Sequence, residues 1–87
     1  MLKASKLRHL LTTQTGTMAP GAFNAIGAKL VAEAGFPVVY ISGAGIANGV
    51  VGVPDIGLLT ADEMAQLCGY IARAVDIPAI ADADDGY

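Results

Sequence analysis

Ile77-Pro78-Ala79-Ile80-Ala81-Asp82-Ala83-Asp84 is the stretch that decides the fold: five uncharged residues run straight into two carboxylates separated by one alanine. A short uncharged run of this kind suits a strand covered on both faces, which needs helices on each side. Carboxylates just past such a strand stand where parallel α/β folds gather their ligands, at the C-terminal ends of the strands. The rest of the chain repeats the pattern. Pro37-Val38-Val39-Tyr40-Ile41 is a second run, rich in β-branched and aromatic residues, and it predicts a strand over 37–41. Residues 17–20 form a shorter candidate strand, stopped by Pro20-Gly21.

Helical spacing fills the intervals. Thr60-Ala61-Asp62-Glu63 has the Thr-x-x-Glu form of a capping box, and Met64, Leu67, Cys68, Ile71 and Val75 then recur at helical spacing until Asp76. A helix over 24–33 places Ile26, Leu30 and Val31 on one apolar stripe; Gly35 sits where a C-terminal cap belongs, and Pro37 lies beyond. Leu7, Leu10 and Leu11 give the first helix, over 1–13, a single apolar face, with Lys3, Lys6 and His9 on a solvated one. Residues 42–59 read as a long irregular connection broken by Gly43, Gly45, Gly49, Gly52, Pro54 and Gly57. The order is helix, then β-α-β-α-β, which implies a parallel sheet.

With 54% hydrophobic and 15% charged residues, and a mean hydropathy of +0.55, the chain is too apolar to be disordered. It is also apolar for an 87-residue domain facing water on all sides, as expected of a piece of a larger α/β protein. A net charge of −3 provides no basic surface for nucleic acid, and no apolar run is long enough to span a membrane. A single cysteine, Cys68, forms no internal disulfide, in keeping with a cytoplasmic location. It lies on the apolar stripe of its helix, where packing is its expected role.

Three of the eight acidic residues fall within the last six positions, as Asp82, Asp84 and Asp85. On an extended backbone, carboxylates at i and i+2 share a side, and hard dications bind one or two carboxylates with waters and substrate oxygens. The same residues also suit a loop using Asp for turns before Gly86, and spacing alone leaves both readings open. Ser42-Gly43-Ala44-Gly45 carries no bulky side chain, so its backbone amides can approach an anion; a plain turn is the alternative. It is no dinucleotide fingerprint, because Asn48 occupies the third glycine's place. Asp55 is the lone acid of the long connection, and Tyr40 and Tyr87 flank strand ends where they could line a pocket.

Taken together, four ordered segments resemble the isocitrate lyase and phosphoenolpyruvate mutase superfamily, and within it the 2-methylisocitrate lyases. They are Ala19-Pro20-Gly21-Ala22-Phe23-Asn24-Ala25, residues 34–45, residues 52–60, and Pro78-Ala79-Ile80-Ala81-Asp82-Ala83-Asp84 with Gly86-Tyr87. The resemblance implies that residues 1–87 form the N-terminal portion, about three βα units, of a (βα)8 barrel. It implies a Mg²⁺ cofactor, with Mn²⁺ as a substitute, held by Asp82 and Asp84 directly or through water, with Asp55 near the metal. Tyr40, Ser42, Gly43 and Ala44 would bind a small 2-oxo or hydroxy tricarboxylic acid. The implied reaction cleaves 2-methylisocitrate to pyruvate and succinate, with phosphonate P–C chemistry, oxaloacetate decarboxylation or a non-catalytic self-associating module as alternatives. The full-length enzyme would be a homo-oligomer. Two features depart from the family pattern. Asp85 adds a third carboxylate where many of its lyases carry Thr or Ile, and the Lys-Cys-Gly-His-type catalytic loop would lie beyond Tyr87. The isolated chain is therefore expected to be inactive.

Overall fold

The structure, a computed structural model, describes residues 2–86; the placement of Tyr87 beside a strand end lies outside the described residues. Three short strands, β1 (Gly21–Ala22), β2 (Val39–Ile41) and β3 (Ala79–Ala81), form one parallel sheet in the order β1-β2-β3. The register pairs Gly21 with Tyr40, and Tyr40 in turn with Ile80. Helix α2 (Ala25–Glu33) connects β1 to β2, and α4 (Ala61–Arg73) precedes β3. Helix α1 (Lys3–Thr13) stands before the first strand.

The first strand lies later than the sequence suggested. It follows Pro20 instead of ending there, because pairing with β2 selects it: the Pro20 carbonyl accepts from the Tyr40 amide at 2.9 Å, and the Ala22 carbonyl accepts from the Ser42 amide at 3.0 Å. Proline lacks only a donor, so Pro20 can stand at a strand start.

The core lies between the sheet and helices α2 and α4. Ala22, Ala28, Val39, Ile41, Ile46, Met64, Ile71 and Val75 form one cluster of buried residues. Val39 and Ile41, at period two, point into it; each stabilises the fold by about 1.5–3 kcal/mol through burial. Tyr40, between them, is 36% exposed on the other face, next to Ile80 at 38%. Only one sheet face is therefore covered within this chain, in contrast to the two-sided burial that the apolar runs suggested.

The apolar stripe expected on α2 is split: Val31 packs against the core, and the other two members turn outward. Ile26 and Leu30 are 67% and 61% exposed, while small Ala28 is fully buried. The close approach of α2 to the sheet explains this, since a Cβ on Gly27 would stand 3.4 Å from the Cβ of Ala22. Asn24 caps the helix by accepting the Gly27 amide at 2.7 Å.

Helix α4 opens on both bonds of its capping box: the Thr60 amide donates to Glu63 Oε1 at 3.0 Å, and the Glu63 amide donates to Thr60 Oγ1 at 3.1 Å. Asp62 and Glu63 in its first turn and Arg73 in its last complement the helix dipole. At its far end the chain again departs from the sequence reading. Lys3 is no solvated charge: its Nζ donates to the carbonyls of Ala72 and Val75, at 2.6 and 2.5 Å. The last carbonyls of a helix lack intrahelical donors and sit at the negative end of its dipole, so a lysine from α1 satisfies both requirements. This tether holds α1 at the N-terminal side of the sheet, where Ala4 and Leu7 line a hollow with Pro78 and Ala79, and leaves the opposite side for a site.

Candidate functional site

The C-terminal ends of the strands are brought level by the hydrogen bonds that continue past them. Ser42, one residue beyond β2, donates its amide to the last residue of β1; Asp82, one residue beyond β3, donates to the carbonyl of Ile41 at 3.2 Å, the last residue of β2. Ser42 and Asp82 therefore sit side by side, each just past a strand of a sheet whose hydrophobic pattern had already fixed the register.

The connection after Ser42 is not an irregular loop. Gly43–Gly45 forms a turn of α-helix, α3, that continues without a break into a π-helix over Ile46–Val51. Ser42 Oγ caps it by accepting the Gly45 amide at 3.0 Å. Ile46 and Ala47 anchor the segment in the core. The Ala47 carbonyl accepts from both Gly52 and Val53 at 2.8 Å, and Gly52, at φ 82°, ends it. In a first helical turn the leading amides have no intrahelical carbonyl. The Gly43 and Ala44 amides are in that position, whereas the Gly45 amide is taken by Ser42.

Gly43 is required for its size. A Cβ at this position would stand 2.6 Å from Asp82 Oδ2 and 3.1 Å from its Cγ. The carboxylate of Asp82 thus lies directly against the backbone that carries those leading amides. Its other oxygen, Oδ1, accepts the Asp84 amide at 3.0 Å. Asp84 adopts φ 46°, a left-handed conformation that Asp tolerates, and the Gly86 amide returns to the Ala83 carbonyl at 2.7 Å. The stretch after β3 is therefore a turn. Asp82 and Asp84 do not share one side of an extended strand as their i, i+2 spacing suggested, because the Asp82 side chain itself folds the backbone over.

That turn delivers Asp84 to a different neighbour. Asp55, Gly57, Asp84 and Asp85 line an open hollow of about 390 Å³. Behind it a cavity of about 10 Å³, large enough for roughly one water, is lined by Gly43, Asp55, Met64 and Asp84 among others. The remote Asp55 is thus carried back to the strand ends by the segment following the π-helix. Asp85, unassigned by sequence, borders the same hollow. Tyr40 stays on the open sheet face, two residues before Ser42.

Among the described residues no three His, Cys, Asp or Glu side chains are grouped closely enough to hold a metal ion by themselves. A hard dication of the Mg²⁺ kind does not need three. It takes one or two carboxylates and completes its shell with waters and substrate oxygens, and oxygen donors without a histidine are the set it prefers. The oxygen donors that border the hollow, the carboxylates of Asp55, Asp84 and Asp85, are of the kind such an ion takes. Burial first, and then the negative charge of Asp82, hold the thiol of Cys68 above the ordinary range.

Sequence inspection placed Phe23 in a family-like segment but gave it no contact with residues 43–51. A Cβ on Gly45 would lie 2.7 Å from Phe23 Cβ, and one on Gly49 2.9 Å from Phe23 Cε2. The signal was present as two glycines four residues apart, but it becomes legible only once residues 43–51 are known to be helical.

Comparison with known proteins follows this geometry. The family model described as phosphoenolpyruvate phosphomutase matches residues 7–87. A 2,3-dimethylmalate lyase of Eubacterium barkeri is 44% identical over 87 residues, covering 100% of this chain and 30% of that protein. A 2-methylisocitrate lyase of Aeropyrum pernix is 42% identical over 81 residues, or 93% of this chain and 26% of that protein. The crystal structure of a phosphoenolpyruvate phosphomutase from Streptomyces platensis subsp. rosaceus superimposes with a TM-score of 0.90 at 38% identity, covering 97% of this chain and 29% of that one. The chain thus spans less than a third of the length of the relatives it matches.

Proposed function

The chain belongs to the phosphoenolpyruvate phosphomutase family and forms the N-terminal α/β portion of its barrel, and from that premise we propose that it is part of a Mg²⁺-dependent carbon–carbon lyase whose substrate is 2-methylisocitrate. The observation that carries this reading is the contact between Gly43 and Asp82, which sets a carboxylate and two leading helical amides beside each other at the strand ends.

In the proposed reaction the 2-hydroxyl of the substrate gives up its proton and the C2–C3 bond breaks. C2 becomes the carbonyl of pyruvate. The electron pair goes to C3, which lies next to a carboxylate, and a proton delivered there completes succinate. Asp82, Asp84 and Asp55 would hold Mg²⁺, directly or through water, and the ion would supply positive charge where the C2 oxygen carries its negative charge. The Gly43 and Ala44 amides would receive the C1 carboxylate, with Ser42 fixing their direction through its bond to the Gly45 amide. Tyr40, on the open sheet face, would border the same molecule. The groups that move protons would come from outside residues 1–87, and further strands of the barrel would cover Tyr40 and Ile80. By itself the chain would be inactive and would self-associate through this face.

The test is a chimera in which residues 1–87 replace the matched segment of the Eubacterium barkeri lyase. Pyruvate release is followed through lactate dehydrogenase and NADH with 2-methylisocitrate and 2,3-dimethylmalate as substrates. Turnover of 2-methylisocitrate that vanishes in Asp82→Ala supports the proposal. A chimera that folds and cleaves only 2,3-dimethylmalate overturns the substrate, and full activity of Asp82→Ala overturns the site.

A further inference from the structure

We propose that Phe23 is a positioning residue of this site: its ring clasps the helical segment 43–51 from outside and fixes the direction in which the Gly43 and Ala44 amides point. Phe23 immediately follows β1, and its neighbour Asn24 is bonded to the first turn of α2, so its backbone is held at both ends. From there the side chain crosses to the next unit. Its Cβ, Cγ and Cδ1 lie within 3.1 Å of where a Cβ of Gly45 would be, and its Cε2 and Cδ2 within 3.2 Å of where one of Gly49 would be. Glycines 45 and 49 stand at i and i+4, one above the other on the same helical face. Glycine weakens a helix interior relative to alanine, so two of them under one ring are retained for close approach. Phe23 also lines a hollow of about 140 Å³ together with Val50 of the segment and Leu67 and Ile71 of α4.

This inference rests on the assignment of residues 42–44 to the substrate carboxylate, and the experiment separates the two. Amide signals of Gly43 and Ala44 are followed by NMR in the chimera that carries residues 1–87 in place of the matched segment of the Eubacterium barkeri lyase, during titration with pyruvate in the presence of Mg²⁺. Hydrogen exchange of residues 43–51 is measured without ligand, with α4 as the internal reference. Phe23→Ala is expected to weaken the pyruvate response roughly tenfold or more, since misplacements near 1 Å can cost up to about 10²-fold. It is also expected to accelerate exchange in 43–51 while residues 61–73 keep their rates. Gly49→Ala drives a methyl into the ring and is expected to weaken binding likewise. Gly49→Ala combined with Phe23→Leu, which removes the colliding ring atoms, is expected to recover binding. A Phe23→Ala chimera that binds pyruvate like the unsubstituted chimera overturns the clasp, as does a double variant no better than Gly49→Ala. If the unsubstituted chimera itself gives no pyruvate response, the carboxylate assignment falls and exchange alone decides. Acceleration confined to 43–51 then supports the clasp, and unchanged rates overturn it.

Discussion

Replacing Gly43 by alanine probes the candidate site at its tightest point. The new methyl would stand 2.6 Å from Asp82 Oδ2, against an ordinary contact of at least 3.4 Å, so the carboxylate must retreat by about 0.8 Å (3.4 − 2.6) or the helical turn must tilt away. Gly43 does not have a positive φ, so alanine is compatible with its backbone, and alanine favours helix over glycine by about 1 kcal/mol. Stability therefore changes little, because the propensity gain offsets part of the steric strain. Ion binding has no such offset. Moving Asp82 disturbs both of its oxygens, including the 3.0 Å bond that Oδ1 accepts from the Asp84 amide, and displacing a ligand's supporting contacts typically costs roughly 10–100-fold in metal affinity. Titration calorimetry with Mn²⁺, paired with a thermal melt, should show a midpoint shift of only a few degrees together with that loss of affinity. Unchanged Mn²⁺ affinity in a variant that melts like the wild type would refute the placement of Asp82 at the ion.

Four further outcomes follow from the same geometry. Asp84→Asn keeps the turn, whose bond uses the Asp84 backbone, but removes a charge from the hollow, so Mn²⁺ affinity should fall while the melting temperature holds. Thr60→Ala deletes the side-chain half of the capping box and should destabilise the chain by about 1 kcal/mol, read from urea unfolding monitored by circular dichroism. Lys3→Met removes both bonds to the end of α4, and amides 3–13 should exchange faster by deuterium uptake while those of β2 keep their protection. At pH 8 Cys68 should react with iodoacetamide more slowly than a free thiol, because a raised pKa leaves less thiolate at any given pH. Asp82→Asn removes the lesser of the two causes and should accelerate the reaction only in part, whereas an unchanged rate would show that the Asp82 charge does not reach the thiol.

Much of the fold was legible because local chemistry and tertiary pairing agreed. Thr60 and Glu63 cap a helix wherever that helix packs, and Met64 and Ile71 recur on the side that the core covers. Besides the displaced first strand, three elements were misread where packing overruled local preference. Residues 43–51 carry three glycines and looked irregular, yet they are helical, with Phe23 lying against two of those glycines and Asp82 against the third. Ile26 and Leu30 gave α2 an apolar stripe that this chain leaves open at those two residues, and the buried contact fell to Ala28, where the approach to the sheet is closest. Lys3 looked like one more solvated charge until the end of α4 arrived beside it.

The sequence by itself determined the parallel α/β order, the family and the acids worth attention, since each depends on residue type and spacing along the chain. Only the tertiary structure decided how those acids meet. Asp82 is seated against Gly43 by the pairing of β2 with β3, Asp84 is turned away from the strand by Asp82's own side chain, and Asp55 is returned to Asp84 by the segment that follows the π-helix. The physical reason is that all three placements are set by contacts between residues distant in the chain or by a backbone reversal, and neither leaves a period in the sequence to be read.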